Sequence, residues 1–222
     1  IGSARSAQEL AAAFPSVDVM VSDSESGIIS SIPNSPAIVV STVGAEPAAT
    51  DRYAAAVLLD GDAQLGSAHL RSGEQLVRRW FNAASLTRAA SAGGQIAVTA
   101  DPASRAVQAL VRGDAAAWAT RELAERRETA LPPVVRSAQI SGRQGRVEEF
   151  VKACAFPSAW RLLGPTPQLN SVGTQPGAQV VVLTPTAEGP LLAARIKAAL
   201  AADAAGSGTD RVSVRLDPLS AL

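Results

Sequence analysis

The sequence predicts an α/β fold: a doubly wound parallel-sheet lobe, followed by a small α+β domain of the order βαββαβ. Three observations predict it. Near-continuous apolar runs alternate with amphipathic helical patterns up to about residue 130. Leu131-Pro132-Pro133 then interrupts the last helical pattern, because proline cannot continue a helix. A second alternation of strands and helices follows, so we expect two domains, 1–130 and 131–222.

The first domain is expected to begin with a helix. Ser6 and Glu9 have the S-x-x-E spacing of a capping box, and Pro15 ends the pattern. Four strands are predicted from apolar runs, at Val17–Val21, Ala37–Thr42, Ala54–Leu59 and Gln95–Ala100. Three further helices are predicted, over Leu70–Ala90, from an Asp101-Pro102 start to Val111, and from a cap at Asp114 to about Arg127.

The second domain shows a different order of elements. Strands are predicted at Val134–Ile140, Trp160–Thr166, Gln179–Leu183 and Arg211–Leu216, and helices at Gly145–Ala155 and Pro190–Ala202. The resulting order is that of a ferredoxin-like split βαβ unit. This fold hosts many functions, so it does not by itself assign one.

Composition excludes several classes of protein. The chain has one cysteine and one histidine, which leaves no disulfide framework and no zinc site built from cysteine and histidine within it. No apolar run approaches the length of a membrane span. The chain opens at Ile1, so we expect a fragment or a processed piece. Residues 1–130 have a net charge of −3 and residues 131–222 one of +3, which is compatible with an acidic partner of the second domain.

No residues are assigned to catalysis, to a cofactor or to a metal. The sequence contains no phosphate loop of the form G-x-x-x-x-G-K-[ST], no G-x-G-x-x-G after a strand and no G-x-S-x-G elbow. Asp60-Gly61-Asp62 follows a predicted strand, where two carboxylates could hold Mg²⁺. A tight turn is the preferred interpretation, because Asp-Gly is a strong turn signal.

Arginines are the candidates for nucleic-acid contact. Arg71, Arg78 and Arg88 are expected on a broad face of one helix, opposite the Leu76 and Trp80 stripe. In the second domain Arg136, Arg143, Arg146 and Arg161 are chosen by charge alone. The competing interpretation for both sets is an ordinary solvated surface.

Several segments, in order, resemble one family. They are Ala55–Asp62 with Leu65, Leu70-Arg71 and Glu74; Glu122–Arg127; Leu131-Pro132-Pro133; Leu163–Pro167; and Leu216-Asp217-Pro218. Over about the last three quarters of the chain they resemble the C-terminal part of the primosomal replication restart proteins, the PriA family. The resemblance implies a second RecA-like helicase lobe followed by the terminal domain.

The resemblance also implies a function. Members restart replication at stalled forks, as ATP-dependent 3′-5′ DNA helicases of the cytoplasm and nucleoid. It implies ATP and zinc as cofactors, with the zinc cysteines upstream of Ile1, and no membrane. The implied partners are forked or single-stranded DNA, single-stranded-DNA-binding protein, other primosome proteins and the replicative helicase loader.

The chain departs from the family where ATP chemistry would lie. Active members carry Q-x-x-G-R-x-G-R in the second lobe; counted back from Gly94, its glutamine falls on Asn82 and its arginines on Leu86 and Ala89. Arg88 is out of register, and Val43–Pro47 lacks the glutamine and lysine of an upstream family segment. Such arginines contribute about 10³–10⁵ in rate, so ATP hydrolysis should be lost.

The composition fits a high-GC bacterial version of the family with degenerate helicase motifs. In addition, Gln168–Gly177 has no basic or aromatic residue where active relatives have both. Three functions stay open: a DNA-binding scaffold without motor activity, an active DNA-dependent ATPase with unusual residues, and a pure protein-interaction module.

Overall fold

The structure, a computed structural model, describes residues 2–168, 177–206 and 211–219. The chain divides into two units. The first comprises Ile1–Ala68 and Ser72–Trp118, and the second comprises His69–Arg71 and Ala119–Leu222. The division falls inside a helix, 12 residues before the boundary at 130 that the sequence predicts. In the described part of the chain, no helix is long and apolar enough to cross a membrane.

The strands of the first unit pair in parallel. They are β1 (Asp18–Ser22), β2 (Ser31–Ile32), β3 (Ala37–Ser41), β4 (Ala48–Ala49), β5 (Ala55–Leu58) and β6 (Gln95–Val98). β1 pairs with β3, β2 with β4 and β5 with β6. The parallel pairing agrees with the apolar runs of the sequence. Among the described residues, however, the pairs form three separate two-stranded sheets and not one continuous doubly wound sheet.

Helices cover one side of the β5–β6 pair. The helices of this unit are α1 (Ser3–Ala13), α2 (Gly61–Leu65), α3 (Ser72–Ser85) and α4 (Arg105–Arg112), with the start of α5 (Ala115–Thr129). Leu76, Val77 and Trp80 of α3 are buried with Ala106 and Val107 of α4. Leu58 and Val98 of the two strands pack against this cluster, so the apolar stripe predicted on α3 is the core of the unit.

The starts of α1 and α4 differ from those that the sequence predicts. α1 begins at Ser3 after Gly2, so Ser6 lies within the helix and the predicted capping box is wrong. α4 begins at Arg105, because the Ser104 side chain accepts from the amide of Val107. Asp101, predicted as that cap, accepts instead from the amide of Ala103 in a turn.

The last helix of the first unit starts as predicted. Asp114 precedes α5, and its carboxylate accepts a hydrogen bond from the amide of Ala117 at 2.8 Å. α5 runs to Thr129, two residues beyond its predicted end.

The second unit contains one four-stranded antiparallel sheet. Its elements are β7 (Val135–Arg143), α6 (Gln144–Cys154), β8 (Arg161–Gln168), β9 (Gly177–Pro185), α7 (Gly189–Gly206) and β10 (Ser213–Leu216). Their chain order is βαββαβ, and the strand order across the sheet is β10-β7-β9-β8. The predicted order of elements is confirmed, and the spatial order is that of a ferredoxin-like fold.

α6 and α7 cover one face of this sheet. Ala138 and Ile140 of β7 and Val180 and Val182 of β9 point to that face, where they are buried with Val147, Phe150, Leu192 and Ile196 of the helices. Successive strand residues alternate between faces, so the intervening residues point away from the helices. We call this opposite surface the distal face.

The distal face has an apolar part and a polar part. Val181 and Leu183 are buried at one end, where Leu131, Val135 and Leu163 pack against them. Toward the other end of the strands lie Gln139 and Gln179, whose side chains are hydrogen-bonded at 2.7 Å. Leu131, which directly precedes Pro132-Pro133, therefore packs on the apolar end of this face.

β8 is an edge strand and has two prolines, Pro165 and Pro167. Its pairing with β9 is irregular between Leu163 and Thr166. At this irregularity Gly164 has a φ of 110°, and a Cβ there would lie 2.5 Å from the carbonyl oxygen of Gln179. Only glycine fits this position without strain, which accounts for the L-G-P part of the family pattern.

Candidate nucleic-acid interface

Arg88 is part of a structural clasp at the end of α3. Its Nε donates to the carbonyl oxygen of Asp51 at 3.1 Å. The amide of Arg88 donates to the carbonyl oxygen of Tyr53 at 2.9 Å. The amide of Tyr53 donates to the carbonyl oxygen of Leu86, also at 2.9 Å. Arg52 completes the clasp by donating to the carbonyl oxygen of Ser85. Two guanidinium groups thus fasten the segment 51–53 to the segment 85–88.

The prediction that Arg71, Arg78 and Arg88 share one helix is wrong. α3 ends at Ser85, so Arg88 follows it, while Arg71 precedes its first residue. The helix stops there because the Ser85 hydroxyl bonds the Asn82 carbonyl and the next residues pair with Tyr53. Arg78 is exposed on α3 and has no ion pair within the described residues. Nucleic-acid contact by these arginines stays a prediction.

The positions that the resemblance aligns with ATP contact have no guanidinium. Asn82 is exposed on α3, Leu86 is half-buried, and Ala89 is exposed beyond the clasp. Amide, aliphatic and methyl side chains cannot neutralise charge on a phosphoryl group. These residues therefore do not fit the phosphate-contacting role of the family segment.

Asp60-Gly61-Asp62 forms the turn into α2. Asp60 is in the left-handed region with φ 59°, and its amide donates to the Thr99 hydroxyl at 3.0 Å. Asp62 accepts from the amide of Asp101 at 2.9 Å. The turn interpretation is confirmed. The Asp62 carboxylate binds the backbone amide of Asp101, in the segment that follows β6.

Metal ligands do not cluster in the described parts of the chain. Within 2–168, 177–206 and 211–219, no three His, Cys, Asp or Glu residues come together in a group that could hold an ion. Cys154 is buried in the helix-covered core of the second unit, where burial raises the pKa of its thiol to about 11. The described His, Cys, Asp and Glu residues do not fit the zinc site of the family.

Two of the four arginines chosen in the second domain are held in ion pairs. Arg136 Nη2 lies 2.5 Å from Asp217 Oδ2. Arg146 pairs with Asp203 of α7 and, at 2.5 Å, with Glu149. Their positive charge is offset by carboxylates of the same unit, which reduces what they can offer a phosphate.

The other two predicted arginines, Arg143 and Arg161, lie at opposite ends of the sheet. Arg161 donates to the carbonyl oxygens of Thr129 and Ala130, at 3.1 and 3.4 Å, where α5 ends. It pairs in register with Leu183, whereas Arg143 pairs with Gly177 at the far end of the same strand. The four arginines therefore do not form one surface.

A different set of basic residues lines the distal face. Val212 and Val214 of the segment 211–216 pack into the helix-covered core. Ser213 and Arg215 alternate with these valines along the strand. In the β10–β7 register, Ser213 is paired with Ser141 and Arg215 with Gln139. Arg211 lies two residues before Ser213, so strand alternation directs it to the same face, and it is exposed. The sequence pattern R-V-S-V-R within a predicted strand was sufficient to find these two arginines.

We name Arg143, Arg211 and Arg215 the basic stripe. Arg211 and Arg215 are exposed and form no ion pair with a carboxylate of the described residues. No Asp or Glu stands at the described distal-face positions of β7, β8, β9 or β10. The predicted loop Gln168–Gly177 has no basic residue, and residues 169–176 of it lie outside the described residues.

Known proteins resemble the chain over most of its length. Residues 127–219 match the family model of the primosomal protein N C-terminal domain. The probable replication restart protein PriA of Mycobacterium leprae (strain TN) is 38% identical over 226 residues, covering 99% of this chain and 35% of the relative. Its counterpart in Mycobacterium tuberculosis (strain ATCC 25618 / H37Rv) is 41% identical over 169 residues, covering 74% of this chain and 26% of the relative.

The βαββαβ unit is thus a primosomal C-terminal domain, and it has the L-P-P, L-G-P and L-D-P elements that the sequence identified. The chain spans about a third of the length of the curated relatives that it matches. It belongs to the PriA family of replication restart proteins.

Proposed function

We propose that this chain acts in replication restart as a DNA-binding scaffold and not as a motor. The observation that carries the proposal is the clasp at the end of α3. The family positions for two phosphate-contacting arginines hold Leu86 and Ala89, and the nearby Arg88 donates to the Asp51 carbonyl oxygen. A guanidinium used in this way does not stabilise charge on a transferring phosphoryl group.

The scaffold would bind forked or branched DNA and recruit other proteins. Its partners would be single-stranded-DNA-binding protein, other primosome proteins and the replicative helicase loader, in the cytoplasm at the nucleoid. The family membership and the names of the mycobacterial relatives support this role.

An ATPase assay tests the absence of motor activity. Single-turnover ATP hydrolysis is measured on the full-length protein that contains this chain, with and without forked DNA, beside an active PriA. We expect no stimulation by the fork, because losing such arginines removes about 10³–10⁵ in rate. Stimulation comparable to that of the active protein would refute the proposal.

Binding to DNA is tested by a salt titration. Forked DNA should bind weakly, and its affinity should fall as salt rises, because arginine contacts release counterions from the phosphates. Absent binding, or binding that does not change between two salt concentrations, would contradict the scaffold.

A protein-interaction module without a DNA role is the second candidate. It is favoured by Arg136 and Arg146, whose charges are offset by Asp217 and Asp203. A pull-down with single-stranded-DNA-binding protein, with and without its acidic tail, separates the two functions. Capture that needs the tail, together with absent DNA binding, would support this second candidate.

A further inference from the structure

We infer that the basic stripe of Arg143, Arg211 and Arg215 is the surface of this chain that contacts the phosphates of DNA. The inference rests on the proposed function and assigns its binding surface. It replaces the charge-based choice of Arg136 and Arg146, whose charges are offset by Asp217 and Asp203, and of Arg161, which lies at the opposite end of the sheet.

The fold itself places the stripe. Val212 and Val214 are drawn into the core under α6 and α7, so strand alternation turns Arg211, Ser213 and Arg215 to the distal face. Residues two apart on one face of a strand are about 6.6 Å apart, which separates the two arginines by roughly 13 Å. The pairing of β10 with β7 begins at Ser213 and Ser141, and the same alternation carried two residues further along each strand brings Arg211 and Arg143 to the same end of the distal face.

The groups between the arginines suit a phosphate backbone. Ser213 and Ser141 face each other in register, and Gln139 and Gln179 continue the polar surface inward. Hydroxyl and amide groups are common partners of phosphate and sugar oxygens, and arginine supplies the charge. No aromatic residue stands at the described positions of this face, so contact with the backbone is favoured over stacking of bases.

Charge complementarity selects a polyanion as the occupant. The distal-face positions of the four strands have no carboxylate among the described residues, and Asp217, the described carboxylate two residues after Arg215, is paired with Arg136. Leu131 packs on the apolar end of the face, whereas Arg211, Ser213 and Arg215 are exposed. A DNA backbone is the polyanion that a replication restart protein meets.

A matched pair of double variants tests the assignment. Forked DNA with a fluorescent label is titrated with the full chain, with R211A/R215A and with K152A/K197A at several salt concentrations. Both variants lose two positive charges, but Lys152 and Lys197 are exposed on α6 and α7, which cover the other face of the sheet. Thermal melts by circular dichroism confirm that each variant is folded, and the single substitution R215E provides a second perturbation.

We expect R211A/R215A to weaken binding by on the order of tenfold or more near 0.1 M salt, with a salt slope lower by about 2. The control should change each quantity far less. Equal losses in both variants, or unchanged binding in R211A/R215A, would overturn the assignment while leaving the scaffold intact. If the unchanged chain does not bind the fork at all, the proposed function and this assignment both fail.

An acidic peptide is the other polyanion that the stripe could select. A fluorescent acidic peptide is therefore titrated against the same proteins. If R211A/R215A loses the peptide and keeps the DNA, the stripe is a peptide site and the inference is wrong.

Discussion

Arg126 donates through Nη2 to the carbonyl oxygen of Leu70 at 2.6 Å, joining residues that are 56 positions apart in the chain. The same guanidinium donates to the carbonyl oxygen of Pro132 at 2.8 Å and pairs with Glu122 at 2.5 Å. Its side chain is 5% exposed. The arginine of the E-L-x-E-R pattern therefore holds both the segment His69–Arg71 and the L-P-P break in the second unit.

Removing this guanidinium should destabilise the second unit. R126A leaves two carbonyl oxygens without their partner, and we expect the free energy of unfolding to fall by about 2–4 kcal/mol. Urea denaturation followed by circular dichroism measures the change. R127A is the control, because Arg127 is the exposed neighbour on α5 and should change stability by less than about 0.5 kcal/mol. Equal stabilities of the two variants would contradict the role of Arg126.

Gly164 should not tolerate a side chain. With φ at 110° and a Cβ 2.5 Å from the Gln179 oxygen, G164A forces the edge of the sheet to move. We expect a loss of at least about 2 kcal/mol in denaturant experiments. G145A is the matched substitution in α6, where a Cβ meets nothing within 4 Å, and it should stabilise by up to about 1 kcal/mol. A G164A protein as stable as the parent would show that β8 adapts freely.

Asp217 anchors the chain after β10, which accounts for the L-D-P pattern. One carboxylate oxygen accepts from the amide of Ser137 at 2.8 Å, and the other pairs with Arg136. D217A loses both and places alanine at φ 44°, so we expect a loss of about 1.5–3 kcal/mol.

The asparagine variant at this position separates the two interactions. D217N keeps an acceptor for the Ser137 amide and tolerates the positive φ, but it removes the ion pair. Because both partners of that pair are more than a third exposed, the cost should stay below about 1 kcal/mol. Chemical denaturation of both variants checks the ranking, which fails if D217N is the less stable of the two.

Cys154 should resist alkylation in the native protein. Burial raises the pKa of the thiol to about 11, with nearby Arg195 opposing the shift, so at pH 8 on the order of one thiol in a thousand is ionised. Iodoacetamide labelling followed by mass spectrometry should be slow, and it should become fast in denaturant at the same pH. Rapid native labelling would show that the thiol is accessible.

The same shift has a consequence for stability. The pKa is higher in the folded state than its ordinary value of 9.0, so the folded protein retains the proton over a wider pH range. The stabilising contribution is complete below about pH 9 and is lost as the pH rises toward about 11. Replacing Cys154 with alanine should remove this part of the alkaline dependence.

The second domain was largely predictable because its strands and helices have unambiguous apolar periods. Ala138 and Ile140 alternate on β7, and Leu192 and Ile196 are one turn apart on α7, so the order βαββαβ follows from the sequence alone. α3 was predicted too long because alanines continue a helical pattern through Ala90. Tertiary pairing of Thr87 with Tyr53 ends the helix, and such a contact has no local signal.

The site was harder to predict for the same reason. Arg136 and Arg146 find their carboxylates at Asp217 and Asp203, more than 50 residues away, so their pairing is invisible in the sequence. Arg211 and Arg215, in contrast, alternate with two core valines. Choosing arginines by strand face instead of by charge alone would have selected them.

The two prolines of β8 determine where another chain could join this domain. Pro165 and Pro167 have no amide hydrogen, so that edge lacks two of the donors that an incoming strand would need. Strand exchange and edge-to-edge aggregation are therefore discouraged along β8. The remaining edge is the four-residue β10, which offers an intruding strand only a short template.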